Sequence, residues 1–340
     1  MIKAKEELLA LIEGGEDSIV EFKLDAIRPA HLAREFVAFS NLEGGVVLLG
    51  VDEYGRYYIR VGSTAQTPTK FELARLFQRA QFVHYDQTPV YAAGLDEIAL
   101  ERVNRYLARL GQESITAGRL GVAQALINLR ICTSSEGGNF ENSPTAVGLL
   151  AFGHRPRHFL DHCGVTLVRY AGSEPDERVL DSLDIAGTLD EQIEGTVGFV
   201  RRNMRVASIL SDEAPVRQEF PDYPLSAVRE AITNGVAHRD YTIVGARVRV
   251  RMFDQRVEFL SPGGLPNTLT LENIKTVQYA RNPLIVSFLQ GLGYMERRGE
   301  GILRIIRWSA ENNSPPPRFE LVDQGLFQVT LYRRRSGEPQ

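Results

Sequence analysis

The unbroken apolar run Val46-Val47-Leu48-Leu49-Gly50-Val51 constrains the fold more than any other stretch of the chain. It has no amphipathic period and no polar face, so it reads as a strand covered by other elements. Runs of this length fall far short of a membrane span. Turn chemistry follows at once in Asp52-Glu53-Tyr54-Gly55, which reads as a hairpin turn. Cover for the strand is legible on both sides. Leu8, Leu11 and Ile12 have helical spacing, residues 18–23 read as a short strand, and residues 29–41 read as a helix ending at Gly44-Gly45. Residues 71–82 and 99–110 also look helical. The fold class expected is α+β.

Further along, residues 134–145 are rich in Ser, Gly, Asn and Pro and read as a loop or boundary. Residues 147–152 and 165–170 read as strands, and residues 192–203 as a helix. A helix is expected from Pro224 to His238, strands over 246–253 and 256–260, and a turn at Pro262-Gly263-Gly264. Helices then fit 283–292 and 301–311, with a closing strand over 326–333. No internal repeat is visible. The expected organisation is an N-terminal domain over 1–130, a linking α/β segment over 131–215 and a C-terminal domain over 216–335.

Charge and composition exclude several classes. The net charge of −4 gives no overall basic field, but it divides into −2 for 1–130, −6 for 131–215 and +4 for 216–340. None of the 5 Lys follows a Gly, so no GxxxxGK[ST] phosphate loop exists and a P-loop motor is excluded. Two cysteines, Cys132 and Cys163, make no disulfide framework and point to a reducing cytoplasm. The chain starts on an amphipathic helix without the apolar core of a signal peptide.

Two constellations carry chemistry. In the first, Glu16-Asp17-Ser18-Ile19-Val20-Glu21-Phe22-Lys23 places two carboxylates near a cation. On a strand, Glu21 and Lys23 share a face and Phe22 takes the other. Asp52 ends a strand that pairs beside it. Acids clustered near a Lys suit a Mg²⁺- or Mn²⁺-dependent phosphodiester cleavage site, and equally a charged surface around a hairpin. E-x4-E-F-K together with A-F-S-N-L-E-G-G-V-V-L-L-G-V-D-E-Y-G (38–55) resembles the Schlafen AlbA-like domain family, with Asn41, Gly44, Gly45, Gly50 and Asp52 in the family's order. Leu42 stands where a Thr is common. The resemblance implies an AlbA-like core that binds DNA or RNA. It also implies that Glu16, Glu21 and Asp52, with Glu53 a near alternative, are the acids that hold metal in cleaving members. In the reading from the residues themselves, the Lys23 cation steadies the phosphate.

In the second, Glu230, Asn234 and His238 fall four apart on one helix face, with Ala231, Ile232 and Val236 around the others. Such a face is either solvated or built to meet a bound group. Downstream, Ser261-Pro262-Gly263-Gly264-Leu265-Pro266 is a tight Gly turn, Arg281-Asn282-Pro283 opens a helix, and Arg297-Arg298-Gly299-Glu300-Gly301-Ile302 is a Gly-rich helix entry suited to phosphate. REAITNGVAHRDY, SPGGLP, RNP and GEGI, in that order, resemble the GHKL-like ATP-binding module of RecG-related proteins and transcriptional regulators. GLLAFGHRPRHFL and FVRRNMR resemble the linking region of the same family. The resemblance implies a GHKL-like α/β sandwich that binds ATP with Mg²⁺ through Glu230, Asn234, His238, Gly263, Gly264, Gly299 and Gly301. Asn234 would be the metal ligand, and a homodimer is plausible by analogy. One departure stands out. Ser261 occupies the place of an Asp that reads the adenine amine in GHKL ATPases, and a hydroxyl offers no charged acceptor.

Other signals read more simply. His154, His158, His162 and Cys163 have metal-like spacing, but Pro156 interrupts them and the reading is structural. Arg247, Arg249 and Arg251 alternate with apolar residues, giving a basic strand face that could track a phosphate backbone or pair with Glu258. Arg201-Arg202-Asn203-Met204-Arg205 reads as a helix end, and the Arg333-Arg334-Arg335 triplet as a solvated tail. The expected function is a cytoplasmic regulatory protein, dimeric by the analogy above, that binds nucleic acid and a nucleotide. The alternatives are a metal-dependent endonuclease, and an ATPase or nucleotide sensor acting on a protein partner.

Overall fold

A computed structural model describes residues 5–23, 34, 37–39, 46–52, 56, 58–61, 64–69, 72, 84–116, 118, 121–133, 142–175, 178–211, 214–265, 269–296, 299–322 and 325–335. The chain divides into two compact units, Met1–Val83 and His84–Gln340. Among the described residues no helix is long and apolar enough to cross a membrane.

The first unit opens with helix α1 (Lys5–Gly14) and pairs β1 (Val20–Lys23) in parallel with β2 (Val46–Leu49), setting Glu21 opposite Val47 and Lys23 opposite Leu49. Strand alternation buries Val20 and Phe22, which form a small core with Val51, packed by Leu11, Ile12 and Leu48. The hairpin β3 (Ile59–Val61) and β4 (Thr64–Gln66) follows. The helices expected over 29–41 and 71–82 fall almost entirely outside the described residues, as do Asn41, Leu42, Gly44, Gly45 and Glu53.

The second unit is built on one core that runs from Ala93 to Leu331. Helices α2 (Leu100–Arg109) and α3 (Val122–Asn128) precede the short pair β5 (Cys132–Thr133) and β6 (Ser143–Pro144). Next come α4 (Ala146–Phe152) and the single turn α5 (Pro156–Phe159). The strand expected over 147–152 is therefore a helix. All seven of its residues are buried, so the run carries no period, and the deciding signal is Thr145, whose side chain accepts from Gly148 N at 3.0 Å as an N-cap.

Strands β7 (Val165–Tyr170) and β8 (Val179–Ile185) lead to α6 (Leu189–Asn203), which a Thr188–Glu191 capping box starts. The hairpin β9 (Val206–Ser211) and β10 (Ala214–Pro221) stands as its own two-stranded sheet. After it come α7 (Leu225–Ala237), β11 (Val248–Met252), β12 (Arg256–Pro262), α8 (Pro283–Gly291), α9 (Gly301–Glu311), β13 (Arg318–Val322) and β14 (Leu326–Tyr332).

Six strands form one sheet in the order β13-β14-β12-β11-β7-β8, antiparallel throughout except for the parallel β11/β7 pair. Helix α6 packs on β7 and β8, α7 packs on β12 and lies between α6 and α9, and α8 packs on α4 and α7. This is the α/β sandwich expected, with a wider frame. The segment 131–215 does more than link, because β7 and β8 belong to the same sheet as β11. Residues 84–130 join that core as well, and isolated bridges tie Pro89 to Thr145 and Ile98 to Gly153. The Arg triplet is docked rather than a solvated tail: Arg333 Nε reaches Asp222 Oδ1 at 2.7 Å, and Arg334 lies over the Phe220 ring.

Candidate functional site

In the first unit Glu16, Glu21 and Asp52 each have a partner close at hand. Glu16 Oε1 accepts from Phe22 N at 2.7 Å, and Glu21 pairs with Lys23 along the same strand face. Asp52 is buried at the end of the parallel pair. It accepts from Arg56 N at 2.9 Å, Arg56 Nε at 2.7 Å and Tyr58 OH at 3.2 Å, while its own N–H donates to Arg56 O. Among the described residues no group of three or more His, Cys, Asp or Glu is placed to hold a metal ion.

The second unit holds a cavity of about 280 Å³ between α7, α9, the β12 end of the sheet and residues 263–265, 269–280, 295–296 and 299–300. Glu230, Asn234 and His238 line it from one face of α7, where the i, i+4, i+8 spacing places them. Gly263, Gly264, Gly299 and Gly301 line it from two separate turns. Its apolar wall includes Val248, Phe259, Ile305, Phe327 and Val329.

The polar end is tightly connected. Glu230 is buried, with Oε2 at 2.8 Å from Arg304 Nη2 and Oε1 accepting from Asn234 Nδ2 at 3.2 Å. Burial raises the Glu230 pKa, and the Arg304 guanidinium works against that rise. Arg304 also reaches Glu296 Oε1 at 2.5 Å. Gly301, the first residue of α9, comes so close that a Cβ there would sit 2.2 Å from Glu230 Oε1 and 3.1 Å from Asn234 Nδ2.

The other end is held by backbone contacts. Arg281 Nη1 donates to His238 O at 2.9 Å, and its Nη2 donates to Gly264 O. The buried Asn282 donates to Ala237 O at 2.9 Å and Arg239 O at 2.8 Å, fixing the C-terminus of α7. Burial and the Arg281 charge lower the His238 pKa to about 4, so its imidazole is neutral at neutral pH. Gly263 has φ +106, and a Cβ there would meet Asp240 Cβ at 2.5 Å, which only glycine avoids. Ser261 Oγ donates to Gly235 O at 2.8 Å, so the hydroxyl's proton is spent on α7 rather than aimed at a ligand.

Two family models match the chain. "Schlafen, AlbA_2" matches residues 16–100, and "Putative ATP-dependent DNA helicase recG C-terminal" matches residues 245–331. The chain is thus similar to the first family over its N-terminal part and to the second over its C-terminal part. The fold is similar to that of the DIP2311 protein from Corynebacterium diphtheriae, with 19% identity, a TM-score of 0.58, and coverage of 96% of this chain and 80% of that one. No curated protein matches.

Residues 245–331 include strands β11 to β13, nearly all of β14 and the Gly-rich turns of the cavity, while β7, β8 and the Glu230–His238 face on α7 precede the matched residues. The residues fit a nucleotide with Mg²⁺ at the polar end. Asn234 offers one neutral oxygen, in keeping with an ion that keeps most of its waters, and Gly301 leaves room for an approach that any side chain would block. Ser261 makes a poorer fit to adenine, since it presents only a neutral lone pair.

The basic strand face is largely engaged. Arg251 Nη2 pairs with the buried Glu258 at 2.8 Å, and Arg247 reaches Asp184 at 3.3 Å and Asp161 O at 2.9 Å, leaving Arg249 exposed. His154 and His158 are exposed and His162 is buried, so the His series gathers nothing. Sequence reading missed Arg304 and Glu296. The available signal was spacing: Arg304 stands one turn into the helix that Gly301 opens, and therefore faces the same end of the cavity.

Proposed function

We propose that the chain is a nucleotide-responsive nucleic-acid-binding protein. The His84–Gln340 unit holds a nucleoside triphosphate with Mg²⁺ in the cavity, and the Met1–Val83 unit engages DNA or RNA. One observation supports the nucleotide reading most. Seven residues chosen from three distant stretches of sequence line a single cavity. The names of the two matching families, one a Schlafen AlbA_2 and one a recG helicase C-terminus, support the nucleic-acid half.

In this reading Asn234 orients the metal, whose charge offsets that of the phosphates. The Gly299–Gly301 turn and the first N–H groups of α9 meet phosphate oxygens. Val248, Phe259, Phe327 and Val329 exclude water from the base. Glu230, tied to Arg304, is poorly placed to act as a general base, so binding rather than turnover is the role assigned to the site. Nucleotide would bias nucleic-acid affinity through different affinities for two states. A homodimer and a role in transcription regulation extend this reading by analogy alone.

The test is calorimetric binding of ATP with Mg²⁺ to wild type and Asn234→Ala. The variant is expected to lose about tenfold or more in affinity. Equal affinity in both would overturn the site. Binding of single- and double-stranded DNA and RNA across a salt series, with and without ATP, tests the other half. Absence of any salt-dependent binding would overturn it.

A further inference from the structure

An ion-pair chain closes the polar end of the cavity. Arg304 is the only Arg or Lys among the described lining residues, and both of its Nη groups are taken, by Glu230 at 2.8 Å and Glu296 at 2.5 Å. Its Nε is buried with no acceptor. Glu230 is the buried member of the chain, whereas Glu296 is exposed. A carboxylate taken out of water beside one guanidinium gains little net energy unless its other lone pairs are satisfied. Glu230 receives only the long 3.2 Å bond from Asn234 in addition. The pair is therefore poised for exchange rather than built for stability.

A guanidinium fork receives carboxylate and phosphate oxygens in the same planar, two-bond manner. We propose that Glu230 is an internal stand-in for a ligand anion: in the empty cavity its carboxylate occupies the Arg304 fork that a phosphate group takes over on binding. This rests on the nucleotide reading above and specifies how that site is regulated. Phosphate entry keeps Arg304 paired and releases Glu230 toward Asn234. The sign of one substitution separates this role from the ordinary one. A Glu that simply helps to hold the ligand makes neutralisation costly, whereas a stand-in makes neutralisation favourable, because its removal frees Arg304.

The experiment measures binding of inorganic pyrophosphate and of a non-hydrolysable ATP analogue by calorimetry, both in chelator and with Mg²⁺. The proteins are full-length wild type, Glu230→Gln, Arg304→Gln and the double variant, each checked by thermal melting. In chelator, Glu230→Gln is expected to bind both probes about tenfold tighter, and Arg304→Gln at least tenfold weaker. The double variant is expected to match Arg304→Gln. Unchanged or weaker binding in Glu230→Gln overturns the proposal. So does a gain that persists without Arg304, since that is charge repulsion alone.

Should Arg304→Gln fail to fold with Glu230 left uncompensated, Arg304→Lys takes its place. It keeps the charge but loses the fork, and at least half of the Glu230→Gln gain should then vanish. A pyrophosphate gain with no binding of the ATP analogue in Mg²⁺ leaves the exchange standing and removes the nucleotide reading. No binding of either probe to any variant overturns both.

Discussion

His162 shows how a single residue sets the response to acid. Its ring is buried, edge-on to Tyr85, with Nε2 3.4 Å from Tyr85 OH. Burial, helped by the nearby Arg239 charge, lowers its pKa to about 4, from an ordinary value near 6.5. The folded protein then binds fewer protons than the unfolded chain between these values. The stabilising contribution is full above about pH 6.5 and is lost as pH falls through 4, on the order of 3 kcal/mol for this group. His238 acts in the same direction. Chemical denaturation of wild type and His162→Gln at pH 7 and pH 4.5 checks this. The wild type should lose more stability on acidification than the variant. Identical losses would remove His162 as a cause. At this scale the shared cavity wall is legible in the sequence and the pairing is not. Glu230, Asn234 and His238 follow from a four-residue spacing that the backbone enforces. The charged partner of Glu230, Arg304, lies 74 positions away, and no local pattern links the two.

At the scale of elements, α8 depends on a residue far from it in the chain. Asp86, fully buried in the 3-10 turn Tyr85–Gln87, accepts from Leu284 N at 2.7 Å and Ile285 N at 3.2 Å. These are free N–H groups in the first turn of α8, where Pro283 has none to offer. Asp86→Ala leaves both buried donors unmet and is expected to cost about 1–3 kcal/mol, while Asp86→Asn keeps an acceptor and costs less. Denaturant midpoints of the two variants test the order. Amphipathic elements such as α7, α9 and β14 are legible from their period. The all-buried helix α4 is not, because residues apolar on every side fit strand and helix alike. Strand β8 was missed for another reason. It is an edge strand with Val179 and Leu180 exposed, so its alternation does not separate a core face from a wet one.

At the scale of the molecule, the core of the second unit ignores the boundary expected at residue 130. Ile98, Val103, Tyr106, Leu107, Ile115 and Leu126 belong to the same cluster as Val250 and Leu331. A fragment of residues 84–340 is expected to unfold in one cooperative transition. A fragment of residues 131–340 should lack one, because it exposes the faces that those side chains cover. Circular dichroism on heating distinguishes the two, and a sharp transition in the shorter fragment would contradict the single core. The strand order carries a consequence for synthesis. Strand β14, the last of the described strands in sequence, is an interior strand, flanked by β12 and β13. During translation β12 therefore leaves the ribosome with one edge bare, and it stays so until residues 326–332 emerge. The nascent chain is open to edge pairing with neighbouring chains until β14 arrives, which makes the docking of that strand the step that ends its exposure.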